Sequence, residues 1–428
     1  MTFTRRGFLK SSGAALVASG LFGARAVAAP PVRPRYFIQL FLRGGFDAIL
    51  TTDPKLRGQI DANVDLPYDE SAIIDLGSHR IGPDFARLRD EFPAMAVLNA
   101  VDHGTVSHAA GLDNILHLKR SYPVRDELGT GIAGRLGNAL ASTPLDEVWM
   151  IAASTARPQF LPVRRSLVMQ DYSPGSPTLV DQLWTAGKED AALAARALDA
   201  EYARCKLRPR QDCTSLAAVR GVLDRMVGTD LPAPGTLTIP LDDPTNAEFA
   251  KGAAAIWCTL TRDISYLLQN EVTRTVFCAV PHAGFDTHQS NTPGQARCCL
   301  VFAEGFKLLM NTLRATKTKN GLSLAEQTGI VISSEVGRNP FMNSAQGKDH
   351  FPQHPVIFMG PGVRPGQYGS TDKTMAGLPI SAETGKLGTA RRLIEPNLDD
   401  VGATILRWFD VDPVNAGYTG RPLDFLFT

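Results

Sequence analysis

Acids and histidines cluster in five short stretches of this chain. Asp47 closes Leu42-Arg43-Gly44-Gly45-Phe46-Asp47, and His103 precedes Ser107-His108. Asp286 and His288 end Pro281-His282-Ala283-Gly284-Phe285-Asp286-Thr287-His288. Glu335 and Arg338 lie in Ser334-Glu335-Val336-Gly337-Arg338, and Asp349-His350 is followed by His354. Carboxylates mixed with imidazoles form the ligand set of a divalent ion such as zinc, manganese or calcium. Two such ions, about 3.5–4 Å apart, can hold and polarise a phosphoryl or sulfuryl oxygen. A hydroxyl at a helix N-terminus, as Ser107 would be, gains from the helix dipole as a nucleophile. An arginine fork, from Arg43 or Arg338, complements an anionic ester. Blander roles compete with these. Thr105 and Ser107 are also good N-cap residues, Asp47 can brace a glycine turn, His79 and His103 read as lone loop histidines, and His117 reads as a packed or surface histidine of a helix. Two acid–histidine clusters among only eight histidines nevertheless favour a metal site.

Elements that gather these residues are legible as six continuous apolar runs at 36–42, 95–101, 147–153, 275–280, 328–333 and 356–359. Unbroken rather than alternating runs are expected for parallel strands covered on both faces. Helical periodicity at 107–120, 294–317 and 399–408 separates or follows them. The pattern predicts an α/β fold with a central, mostly parallel sheet and helices on both faces. An Ala- and Arg-rich segment over about 179–269, broken by Pro232-Ala233-Pro234-Gly235, reads as a helical insertion. In an open α/β sheet, ligands bind beyond the carboxyl ends of the strands. Most of the acids and histidines follow strand ends, so the fold would bring them to one edge.

The N-terminus carries Arg5-Arg6-Gly7-Phe8-Leu9-Lys10, a Gly/Ala/Ser-rich apolar run, then Arg25 and Ala26-Val27-Ala28. The run is too short for the ~20 residues of a membrane span. A basic start, a weak apolar core and a small-x-small site predict an export signal over 1–28, of the twin-arginine type, with 29–428 as the mature domain. The expected partner in export is the twin-arginine translocase, and the expected location is the periplasm. Removing 1–28 leaves 40 basic against 43 acidic residues, a net charge of −3, which argues against nucleic-acid or anionic-membrane binding. The six cysteines form no Cys-x-x-Cys pair, which excludes the common iron–sulfur and zinc-ribbon spacings. A Cys205–Cys213 disulfide fits an oxidising compartment, and Cys278, in an apolar run, reads as a buried thiol.

At these residues the sequence resembles a family of bacterial twin-arginine-exported proteins of unknown function, within the alkaline phosphatase and sulfatase superfamily. The resemblance is carried by Leu40 to Asp47, by Ser107-His108, by Asp286-Thr287-His288, by Ser334 to Pro340 with Gly347 to His350, by Gly360-Pro361-Gly362 to Gly366, and by Gly420-Arg421-Pro422. It covers nearly all of the mature chain. It implies an alkaline-phosphatase-like fold with Ser107 as nucleophile and Asp47, Asp286, His288, Asp349, His350 and His354 as metal ligands. On the chemistry of the side chains, Arg338 is the expected catalytic partner, and Arg43 and His108 are the expected substrate contacts. Asp286 and His288 lie two apart where the superfamily spacing is four. Glu335 stands at a strand end where the superfamily carries Asp-His, so Glu335 and Asp349 are alternative ligands. The expected activity is metal-dependent hydrolysis of phosphate or sulfate esters of a small molecule or polymer. The alternative is a non-catalytic exported binding or assembly protein that keeps the fold.

Overall fold

The structure, a computed structural model, describes residues 32–120, 131–140, 143–151, 167–172, 177–207, 214–226, 229–241, 246–280, 284–388 and 392–428. The N-terminal Arg5-Arg6 segment, Cys213 and His282 lie outside them. Eight strands form the main sheet: β1 (Tyr36–Phe41), β2 (Met95–Asp102), β3 (Glu147–Ile151), β4 (Leu167–Asp171), β5 (Thr275–Ala279), β6 (Thr328–Ser333), β7 (Gln353–Met359) and β8 (Gly366–Tyr368). Their order is β8-β2-β7-β6-β1-β5-β3-β4. All pairings are parallel except those of β7, which runs antiparallel to both β2 and β6. The six expected strands are present, and β1 lies directly beside β6 with Tyr36 opposite Thr328. Two strands had no sequence signal of their own: β4, and the three-residue edge strand β8.

Alternation along the strands sends side chains to two separate cores. Ile38, Leu40, Val276, Cys278, Ile330 and Ile332 face one side, beneath the helices α5 (Ala247–Gln269) and α6 (Asn291–Ala315). Phe37, Phe41, Phe277, Val331 and Phe358 face the other, beneath α1 (His108–His117), α2 (Ile132–Ala139) and α7 (Leu398–Trp408). Continuous apolar runs are therefore what a strand with both faces covered requires. The helical segment contains α3 (Leu179–Lys206), α4 (Thr214–Met226) and α5. Cys205 is disulfide-bonded, and Cys278 is a buried free thiol whose pKa burial pushes up. Among the described residues no helix is long and apolar enough to cross a membrane.

The reversal of β7 places the site. After β6 the chain forms a loop over 334–352, in which Gly337–Arg338 pairs antiparallel with His350–Phe351. It turns back without leaving the carboxyl edge. The start of β7, and Asp349-His350 just before it, therefore sit beside the ends of β1, β5 and β6. His354, expected ahead of the sixth strand, lies within it, opposite Val101 of β2.

Candidate metal centre

Four chain segments meet at this edge. β1 leads to Gly44-Gly45, both with positive φ (103° and 85°). A Cβ on Gly44 would overlap the backbone of Asp286, so glycine permits both the turn and the close approach. β5 leads to Asp286-Thr287-His288, β6 leads to Ser334-Glu335, and α1 begins at His108. Gly347 lies against the His288 carbonyl, again where a Cβ would overlap backbone.

Three imidazoles converge on the Asp286 carboxylate. His350 Nε2 stands 3.1 Å from Asp286 Oδ1, His288 Nε2 3.2 Å from the same oxygen, and His108 Nε2 3.1 Å from Oδ2. His288 and His350 also face each other, Nε2 to Nε2, at 3.1 Å. The opposite nitrogen of each ring is tied to an acceptor. His108 Nδ1 lies 2.7 Å from Glu335 Oε1, His288 Nδ1 2.9 Å from Asp349 Oδ1, and His350 Nδ1 2.7 Å from the Val106 carbonyl. Carboxylates and carbonyls only accept, so each Nδ1 donates and each neutral ring turns its Nε2 lone pair toward Asp286.

Lone pairs facing one another and a carboxylate require a proton or cation among them. Ligand atoms of His108, Asp286 and His350 all lie within 4.8 Å of one another, and donor atoms around a zinc at about 2.0–2.1 Å stand about 3.3–3.4 Å apart. An acceptor behind each imidazole is the usual outer shell of a metal-bound histidine. His108, Asp286 and His350 therefore fit a divalent ion, with His288 beside them. With no metal, the hydrogen bonds His108 gives to Asp286 and then to Glu335 raise its pKa to about 9. Burial alone would raise the Asp286 carboxyl, but its bonds with His108, His350 and Arg338 outweigh that and hold it far below the usual carboxylate range.

The sequence-derived ligand set is thus redistributed. Asp286, His288 and His350 come together, and His108, expected to contact substrate, joins them. Glu335 and Asp349 stand behind imidazoles: buried Glu335 also accepts from Gly44 N (3.0 Å to each oxygen) and Ser334 Oγ (2.8 Å), while exposed Asp349 also takes Asn343 Nδ2 at 3.3 Å. Asp47 does not join the cluster. Its carboxylate is buried and paired with Lys348 Nζ at 2.7 Å, so its charge is already matched. His354 is also elsewhere, enclosed between Phe46 and His103 at ring-centroid distances of 4.1 and 5.7 Å. Burial lowers the His103 pKa to about 4 and, with help from His103, holds that of His354 well below its ordinary value.

Arg338 is sealed in rather than turned to the opening. Nε donates to Gly44 O at 2.9 Å, Nη1 to Lys348 O at 2.8 Å, and Nη2 to Asp286 Oδ1 at 2.7 Å and to Gly44 O. It braces Asp286. Arg43 lies at the β1 turn, where its carbonyl accepts from Phe285 N at 3.1 Å. Ser107 is exposed at the N-terminus of α1, and its hydroxyl makes no capping bond. Thr105 Oγ1 instead accepts from Ser107 N at 3.0 Å. Lys348, Asn291 and Gln295 belong to no motif legible in the sequence. The only available signals were a lysine inside Gly347-Lys348-Asp349-His350 and a polar pair one turn apart at the start of an apolar helix.

Residues 268–422 match the family described as a protein of unknown function (DUF1501). No curated protein matches the chain. Several solved structures resemble it at low identity. A mutant of the alkaline phosphatase PafA shares 10% identity at a TM-score of 0.45, covering 94% of this chain and 100% of that one. The lipoteichoic acid synthase LtaP from Listeria monocytogenes shares 8% at 0.41, covering 92% and 76%. The PsFucS1 sulfatase from Pseudoalteromonas sp. shares 10% at 0.41, covering 98% and 76%.

Proposed function

We propose that this protein is an exported, metal-dependent hydrolase of phosphate or sulfate esters. The observation that carries the reading is the convergence of three imidazole Nε2 atoms on Asp286, each ring oriented from behind. His108, Asp286 and His350 would hold the ion, with His288 beside them. Imidazole nitrogens with one carboxylate suit zinc better than calcium, which takes oxygen ligands. When bound, the ion supplies Lewis-acid polarisation of an ester oxygen.

Ser107 is the attacking group. It adjoins His108, it is exposed, and the positive end of the α1 dipole favours its alkoxide. Attack by Oγ on phosphorus or sulfur expels the ester's alcohol, which takes up the serine proton. Water then cleaves the seryl ester, releasing phosphate or sulfate and restoring Ser107. Glu335 and Asp349 hold His108 and His288 in one tautomer, and Arg338 holds Asp286. Arg43, at the β1 turn, is the candidate grip on the ester anion.

Metal analysis of the mature protein, with a phosphatase and sulfatase panel, tests this. His350→Ala and Asp286→Asn should lose the metal and hydrolysis together. Ser107→Ala should keep the metal and lose turnover, and His117→Ala should change neither. Full metal occupancy in both ligand variants would end the metal reading. Metal without hydrolysis in the native protein would point to the binding-protein alternative. Export through the twin-arginine pathway is tested by Arg5→Lys with Arg6→Lys, which should leave the protein in the cytoplasm.

A further inference from the structure

Asp47 and Lys348 form an ion pair with exposures of 1% and 0%, and neither takes part in the imidazole cluster. The segments that carry the cluster, however, are tied to this pair. Asp47 Oδ2 accepts from Lys348 Nζ at 2.7 Å and from Asn291 Nδ2 at 3.0 Å, and Oδ1 accepts from Ile49 N at 3.1 Å. Asp47 N donates to Gln295 Oε1 at 3.0 Å. Asn291 and Gln295, both fully buried in the first turns of α6, reach on to Thr287. Thr287 Oγ1 donates to Asn291 Oδ1 at 2.5 Å, and Gln295 Nε2 donates to Thr287 Oγ1 at 3.0 Å and to Phe285 O at 2.9 Å. Lys348 N donates to Thr287 O at 3.0 Å. Lys348 O accepts from Arg338 Nη1 at 2.8 Å, and the same guanidinium holds Asp286.

Thr287 is the residue between Asp286 and His288, and Lys348 is two residues before His350. One buried charge pair therefore joins the end of β1 to both loops. A buried pair repays its desolvation only when further hydrogen bonds complete it, and the bonds that complete this one belong to the loops bearing the cluster. We infer that Asp47 and Lys348 are positioning residues, which preset the spacing of the Asp286–His288 and Asp349–His350 segments before any metal arrives. The inference rests on the proposed metal centre only for its affinity arm.

The test compares Lys348→Met, Asp47→Asn and the double variant in the full mature chain. Each single change leaves one buried charge without its partner and should lower stability; the double change removes both charges and should recover most of it. Positioning, by contrast, stays lost in the double variant. In the metal-free protein its His288 and His350 imidazole ¹⁵N resonances should shift and broaden while that of His79 stays in place. Its zinc affinity should remain roughly ten- to a hundredfold below native. Native imidazole signals in a stable double variant would overturn the inference. Should the double variant fail to fold, Asn291→Ser decides: it keeps the ion pair but cuts the strap to Thr287, and should shift His288 more than His350. Unchanged signals there would refute the inference. If the native protein binds no zinc, the metal reading falls and the imidazole comparison alone decides positioning.

Discussion

Glu335→Gln separates an orienting carboxylate from a direct ligand. Glu335 is 1% exposed and receives His108 Nδ1 at 2.7 Å, Gly44 N at 3.0 Å to both oxygens and Ser334 Oγ at 2.8 Å. Glutamine matches its size but replaces one acceptor oxygen with a donor nitrogen. With the amide oxygen toward His108, that nitrogen meets the Ser334 hydroxyl that donates to Oε2; flipped, it meets the His108 Nδ1–H. A buried donor left unpaired costs about 1–3 kcal/mol. The bond to His108 also loses its charge assistance and about half its strength. The expected result is a zinc affinity lower by roughly ten- to a hundredfold, which is about 1.4–2.7 kcal/mol. In the metal-free variant the His108 pKa should fall from about 9 but stay above its ordinary 6.5, because the Asp286 bond, the larger contribution, remains. Competition with a chromophoric chelator gives the affinity, and imidazole NMR titration gives the pKa. An affinity within about threefold of native, with an unchanged His108 titration, would refute the argument that an acceptor behind the ring governs the site.

Three further outcomes are expected. In the metal-free protein, His108 has a folded-state pKa of about 9 against an ordinary 6.5; its stabilising contribution is complete below 6.5 and lost as pH rises through 9. Melting temperature should fall across that window without metal and much less with zinc bound, and a flat metal-free profile would contradict the assignment. Arg338→Lys cannot reproduce the bonds to Gly44 O, Lys348 O and Asp286. It should weaken zinc binding about tenfold, whereas a rise in KM with metal binding intact would show that Arg338 grips the ester. Gly44→Ala forces a Cβ onto a residue at φ 103° and into the Asp286 backbone. It should destabilise by about 2–4 kcal/mol and reduce metal binding, and an unchanged urea midpoint would refute the close approach.

Residue order alone specified much of this protein. Six apolar runs determined six strands, because strands covered on both faces must be apolar at every position and such runs are visible without partners. Placement of Asp286, His288, Glu335 and Asp349-His350 at one edge followed from the same pattern. The neighbours of each carboxylate were decided only by the folded chain. Asp47 and Asp286 both follow strands and both read as ligands, yet one receives the Lys348 ammonium and the other three imidazoles. The reversal of β7 was equally hidden, since an apolar run carries no direction, and that reversal brings His350 to the cluster while burying His354 inside the strand. β8 gave no signal because three residues at a sheet edge need neither length nor a full apolar face. Sequence shows which residues can do chemistry; which of them meet depends on strand order, strand direction and the buried charges that hold the loops, all set by contacts between residues far apart in the chain.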